Sequence, residues 1–133
     1  MAINPLDAYQ EIEKATVSGR DLEALVLSKA SARLQYVRDH WDGSDRKALL
    51  DEALRFNQRV WTLFQAEISE PGNPLPIEIK NNLLSLSAFV DKRTFEVMSY
   101  PEAEKLDILI SINQNIAAGL RNDVVPAAAQ VSG

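Results

Sequence analysis

Few side chains in this sequence could do chemistry. His40 is the single histidine in 133 residues and there is no cysteine, so a thiolate nucleophile and a thiolate metal site are excluded. A metal centre would have to be built from carboxylates. Asp39 and Asp42 flank the histidine, but they stand too close in sequence to converge on one face of a regular helix. A histidine at a helix C-terminus ordinarily caps the helix or partners its dipole, and the position of His40 suggests that role. No serine sits in a nucleophile-elbow pattern. Asp51 with Glu52, and Glu102 with Glu104, are adjacent or two apart, so they diverge around a helix instead of facing each other across a bond. Neither a G-x-G-x-x-G nor a Walker loop offers a backbone cradle for phosphate. The pattern predicts no enzyme, no metal and no cofactor.

What remains is a set of polar residues inside apolar seams. In LLDEALRFNQRVWTLFQAEI the positions Leu50, Leu54, Asn57, Trp61, Phe64 and Ile68 follow a four-three spacing with an amide in the line. Asn113 repeats the device among Leu106, Ile110, Ala117 and Leu120. A buried asparagine costs stability unless its amide is satisfied, yet at a seam position it selects one register over others. Two readings stand. Either Asn57 and Asn113 meet inside the monomer and fix the register of their helices, or Asn57 lies exposed beside Trp61 on a face that receives another protein's helix.

These seams need helices to carry them. Five stretches fit the 3.6-residue period between clusters of Gly and Pro. The first is short, over residues 5–16, with Pro5 in its first turn and Leu6, Tyr9 and Ile12 along one side; a helix of that length is marginal in water unless it docks. The second opens at Ser18 with Asp21 in a capping-box position and carries Leu22, Val26, Ala30, Leu34, Val37 and Trp41. Gly43 is expected in the left-handed conformation that ends it, and Ser44 as the next cap. The third holds the Asn57 seam and stops before SEPGNPLP. In the fourth, Ile79, Leu83, Leu86, Val90 and Val97 form one line and Leu84, Ala88, Phe95 and Met98 an adjoining one, a breadth that predicts a central, well-buried helix. SYPE restarts the pattern with Pro101 in the first turn of the fifth. From Asn122 the period is lost, and residues 122–133 are expected to form a disordered tail.

The tight connections near 42–44 and 99–101 make their flanking helices antiparallel neighbours. The expectation is an all-α, single-domain antiparallel helical bundle over residues 1–121, with four longer helices and the short N-terminal one. The 46% hydrophobic content supports a real core. A net charge of −5 argues against a general affinity for phosphate backbones, and no run approaches the ~20 apolar residues of a membrane span. A cytoplasmic protein is expected.

Certain phrases, taken in order, carry a resemblance: NPLDAYQ, SKASARLQYV, LDEALRFNQRVWTLFQAEI, NPLPIEIKNNLLSLSAFVDKRTFEV and EKLDILISINQNIAAGL. Together, from about residue 5 to about residue 120, they resemble the FlaF family of flagellar biosynthesis regulators. The resemblance implies a small cytoplasmic protein that promotes flagellin synthesis, secretion and filament assembly, acting after transcription in concert with FlbT. Its implied partners are flagellin, as the client of a chaperone-like factor, and FlbT; an alternative is contact with flagellin messenger RNA, directly or through FlbT. Beside it, the residues themselves nominate Leu6, Tyr9, Ile12, Asn57 and Trp61 as partner-binding candidates.

Overall fold

Apolar residues returning every three or four positions, broken at Gly43, between Pro71 and Pro76, and at Pro101, dictate helices with short joins. The computed structural model describes residues 19–121 and contains α1 (Gly19–Asp39), α2 (Arg46–Ile68), α3 (Ile77–Ser99) and α4 (Lys105–Arg121), with no strand among the described residues. The four longer helices are those expected. The short helix expected over 5–16, the Ser18 cap and the tail expected from 122 lie outside the described residues.

Each short join returns the chain along the helix before it. At one end of the α1–α2 pair Glu23 and Glu67 stand together, and further along the Arg33 guanidinium covers the Phe56 ring at 4.1 Å. Helix α4 comes back along α1: Arg121 Nη2 donates to Ser28 Oγ at 2.9 Å, Ser31 Oγ to the Ile110 carbonyl at 3.2 Å, and Arg38 Nη1 to Asp107 Oδ1 at 3.1 Å. Helices α1 and α3 each pack on α2 and α4, which leaves α1 opposed to α3 and α2 to α4 across the centre.

The joins depart from expectation in detail. Gly43 does not take a left-handed conformation. Its N–H donates to the His40 carbonyl at 3.0 Å, and the Arg46 N–H then donates to the Gly43 carbonyl at 3.2 Å; successive right-handed turns carry the chain into α2, so no reversal of backbone hand is needed. The N-cap position of α2 falls on Asp45, one after Ser44, and its side chain makes no capping hydrogen bond. Pro101 precedes α4 instead of joining its first turn, because three-residue bonds from Lys105, Leu106 and Asp107 to Glu102, Ala103 and Glu104 form a tighter entry.

Two seams also sit differently from the sequence reading. In α1 the inward line is Ala24, Leu27, Ala30, Leu34 and Val37, while Leu22 is exposed. Ala24, Ala30 and Ser31 are buried in α1, as Ala117 is in α4; Ser31 and the Ala24 carbonyl meet α4 directly, and small contact residues permit the closest helix approach. Nor is α3 central. Only Leu83, Ser87, Val90, Thr94 and Val97 are buried in it, whereas Ile79, Ala88, Phe95 and Met98 are exposed. Two neighbours cover one narrow stripe of a helix, so its second apolar line, about 100° around, faces outward.

The α2–α4 diagonal is closed by polar side chains. Trp61 Nε1 donates to Asn113 Oδ1 at 2.8 Å, and Asn113 Nδ2 donates to Asn57 Oδ1 at 2.7 Å. Asn57 and Asn113 are 0% exposed and Trp61 1%. Among the described residues, Asn57 Nδ2 is the buried side-chain polar atom without a hydrogen-bond partner in the protein. Phe64 meets the Trp61 ring edge-on at 5.4 Å, an arrangement suited to the ring quadrupoles.

Truncating Trp61 removes both a packed ring and the first donor of this chain. Trp61→Ala should cost about 3–5 kcal/mol in urea unfolding, against about 0.5 kcal/mol or less for Leu63→Ala, two residues along and exposed on the other side of α2. The two asparagines should be unequal. Asn57→Leu exchanges one unpaired buried group, Asn57 Nδ2, for another, Asn113 Nδ2. Asn113→Leu instead strands Trp61 Nε1 and Asn57 Oδ1 in addition, and at ~1–3 kcal/mol for each such group it should be the more damaging by about 2 kcal/mol or more. Equal unfolding midpoints for the two leucine variants would contradict this assignment.

Candidate partner-binding surface

Of the residues nominated from the sequence, Leu6, Tyr9 and Ile12 lie outside the described residues. Asn57 and Trp61 are core residues joined through Asn113, so neither presents an atom to solvent in the closed bundle, and the inward reading of the two seam asparagines is the one their contacts follow. His40 ends α1: its Nδ1 is 2.8 Å from the Tyr36 carbonyl, and its ring stacks on Tyr36 at 4.0 Å. Asp51 accepts from Arg55 at 2.8 Å and Glu96 from Arg93 at 2.9 Å, the intrahelical pairing their spacing allows. Among the described residues no three His, Asp or Glu gather to hold a metal, and no helix is long and apolar enough to cross a membrane.

The uncovered apolar surface lies elsewhere. Between α1 and α2, Leu22, Val26, Leu27, Val60, Leu63 and Phe64 wall a groove whose rim carries Glu23 and Glu67. Its cause is the turn of α1 toward α4, which buries the alanines and leaves Leu22 55% exposed; Leu63 across the groove is 72% exposed. Two apolar walls on antiparallel helices, open along one side, are the geometry that receives the apolar stripe of a third helix. The second uncovered surface is the outer line of α3. There Asp91 stands beside Arg55, Gln58, Arg59 and Thr62, and Met98 beside Leu50, Leu54 and Pro101.

Sequence reasoning missed both surfaces for physical reasons. The groove depends on the rotation of α1, which is set by a contact with a helix some eighty residues away in the chain. For α3 a signal was available: Asp91 interrupts the line Leu84, Ala88, Phe95 and Met98, and an unpaired carboxylate seldom enters a core.

At the groove rim the Glu23 carboxyl is pushed up to about 8, first by partial burial, then by its hydrogen bond to Glu67 and the charge there, with Arg20 acting in the opposite sense. The unfolded chain releases this proton near 4.5 and the folded chain near 8. Between those values the folded state holds a proton that the unfolded state has lost, so the contribution to stability is full below about 4.5 and disappears as the pH rises to about 8. The urea midpoint should therefore fall across this interval more steeply for the native chain than for Glu23→Gln. Parallel profiles for the two proteins would show that the rim pair does not share a proton.

Neither a curated protein nor a solved structure matches the chain. The family model described as "Flagellar protein FlaF" matches residues 5–120, a span that includes all but the last residue of the four helices and, apart from Asn4, all of the phrases that carry the resemblance. With that match over most of its length, the chain belongs to the FlaF family of flagellar proteins.

Proposed function

We propose that the protein acts in the cytoplasm to promote flagellin synthesis, secretion and filament assembly, binding flagellin as a chaperone-like factor through helix-to-helix packing. The observation that carries this reading is the apolar groove between α1 and α2, left open by the described residues in a bundle of a flagellar family. Its occupant is an amphipathic terminal helix of flagellin, whose apolar stripe lies between Leu22 and Val26 on one wall and Val60 and Leu63 on the other. Burial of such a stripe supplies affinity without any catalytic group, and the glutamates at the rim favour a client helix with a basic residue beside its stripe.

Direct reading of messenger RNA is the weaker account. Four of the chain's cations rest over aromatic rings: Arg33 on Phe56, Arg46 on Trp41, Arg93 on Phe89 and Lys105 on Tyr100. Together with a net charge of −5, this dispersal opposes the extended basic footprint that phosphate binding requires.

Titration of purified flagellin into the intact protein tests the reading. Binding is expected, and Leu22→Asp should weaken it about tenfold or more, since a charge buried against an apolar stripe goes unpaired. Leu22 is exposed, so the variant should retain the cooperative unfolding of the native chain. No binding by the intact protein, or undiminished binding by Leu22→Asp, would overturn the proposal.

A further inference from the structure

Helix α3 carries two four-three seams. One, Leu83, Ser87, Val90, Thr94 and Val97, is spent on the core. The other, Leu84, Ala88, Asp91, Phe95 and Met98, repeats the same spacing one residue along, and the bundle uses only Leu84 of it for partial packing. Phe95 is 70% exposed and Met98 40%. One such residue on a surface needs no explanation, but a complete seam of knob positions is the pattern by which one helix packs on another.

The order of residues in this seam is specific. Read in either direction from Asp91, it meets one of the pair Ala88 and Phe95, then one of the pair Leu84 and Met98. When a second identical seam is laid alongside in the opposite direction, Leu84 comes level with Met98 to within a residue. Each phenylalanine then comes level with an alanine. A large side chain over a small one fills the layer, whereas parallel alignment would set ring against ring and leave a gap between the alanines. Charge agrees with this arrangement. Asp91 falls at the axis, and Lys92, its neighbour in sequence, falls diagonally opposite the other copy's Asp91. Neither Asp91, Lys92 nor Arg59 enters an ion pair among the described residues, so these charges are available to one another across the axis, with the two Arg59 side chains beside the aspartates. A self-complementary patch of this kind is what a two-fold interface demands.

We propose that the protein pairs with a second copy of itself through the outer seam of α3, the two helices antiparallel, Phe95 of each copy seated over Ala88 of the other and Asp91 at the two-fold axis. This surface is separate from the α1–α2 groove, so a pair of copies presents two client grooves at once. The proposal stands or falls independently of the flagellin reading.

Sedimentation of the full chain should give a mass twice that of the monomer, and Phe95→Asp should give the monomer mass with unchanged helical content and an unfolding midpoint that no longer rises with protein concentration. The absence of cysteine allows the direction to be trapped. An equimolar mixture of Leu84→Cys and Met98→Cys chains should form the mixed disulfide on mild oxidation faster than Leu84→Cys chains link to each other, because only the mixed pair comes within bonding reach. A monomer mass for the native chain, a dimer that survives Phe95→Asp, or self-linking of Leu84→Cys at the same rate as mixed linking would each overturn the proposal.

Discussion

The chain of hydrogen bonds from Trp61 through Asn113 to Asn57 spans the α2–α4 diagonal, where the two helices do not pack directly on each other. Helices packed side by side can slide by a turn and exchange one apolar neighbour for another at small cost, which is why apolar seams specify register weakly. A buried amide cannot be displaced in that way, since a shift of one turn would strand the indole N–H and both amides together. The diagonal therefore fixes α2 against α4, and the short joins then carry α1 and α3 with them.

The second constraint is the close contact of α1 with α4. Ala24, Ala30, Ser31 and Ala117 bring the two helices near enough for the Ser31 hydroxyl to reach the Ile110 carbonyl, and the clamps Arg38–Asp107 and Arg121–Ser28 stand at the two ends. These exposed contacts add little energy individually. The close approach matters more, because it rotates α1 away from α2 along one edge and leaves the groove lined by Leu22 and Leu63. An economy of side-chain volume in one interface thus creates an apolar vacancy in the next.

How much of this was legible in the sequence follows from the range of each interaction. Helix existence depends on local period and on Gly and Pro, so all four described helices could be read, and the seam asparagines stood out because their polarity conflicts with their spacing. The cap at Asp45 and the entry to α4 were displaced by one to four residues, as local hydrogen bonds compete almost equally there. Which of several apolar residues on a helix face inward was less legible. In α1 the sequence offers both Leu22 and Ala24, and hydrophobicity favours the leucine. Close packing against α4 selected the alanine, a choice made by shape and visible only with the partner in place. The opposite error occurred in α3, where breadth of the apolar face was read as depth of burial.

That error bears on how such a surface arises. A helix with one apolar stripe needs one partner interface; a helix with two seams set one residue apart needs two, and a four-helix ring supplies α3 with neighbours on only one side of its outer seam. Retaining Phe95 and Met98 in water costs solubility, and natural surfaces commonly limit such patches with charge. Asp91 does so here. As a lone carboxylate it opposes indiscriminate burial of the seam, since any partner lacking a cation at that level would leave it desolvated and unpaired. The same residue that interrupts the pattern thereby restricts what can complete it, much as the two asparagines restrict the packing of the core.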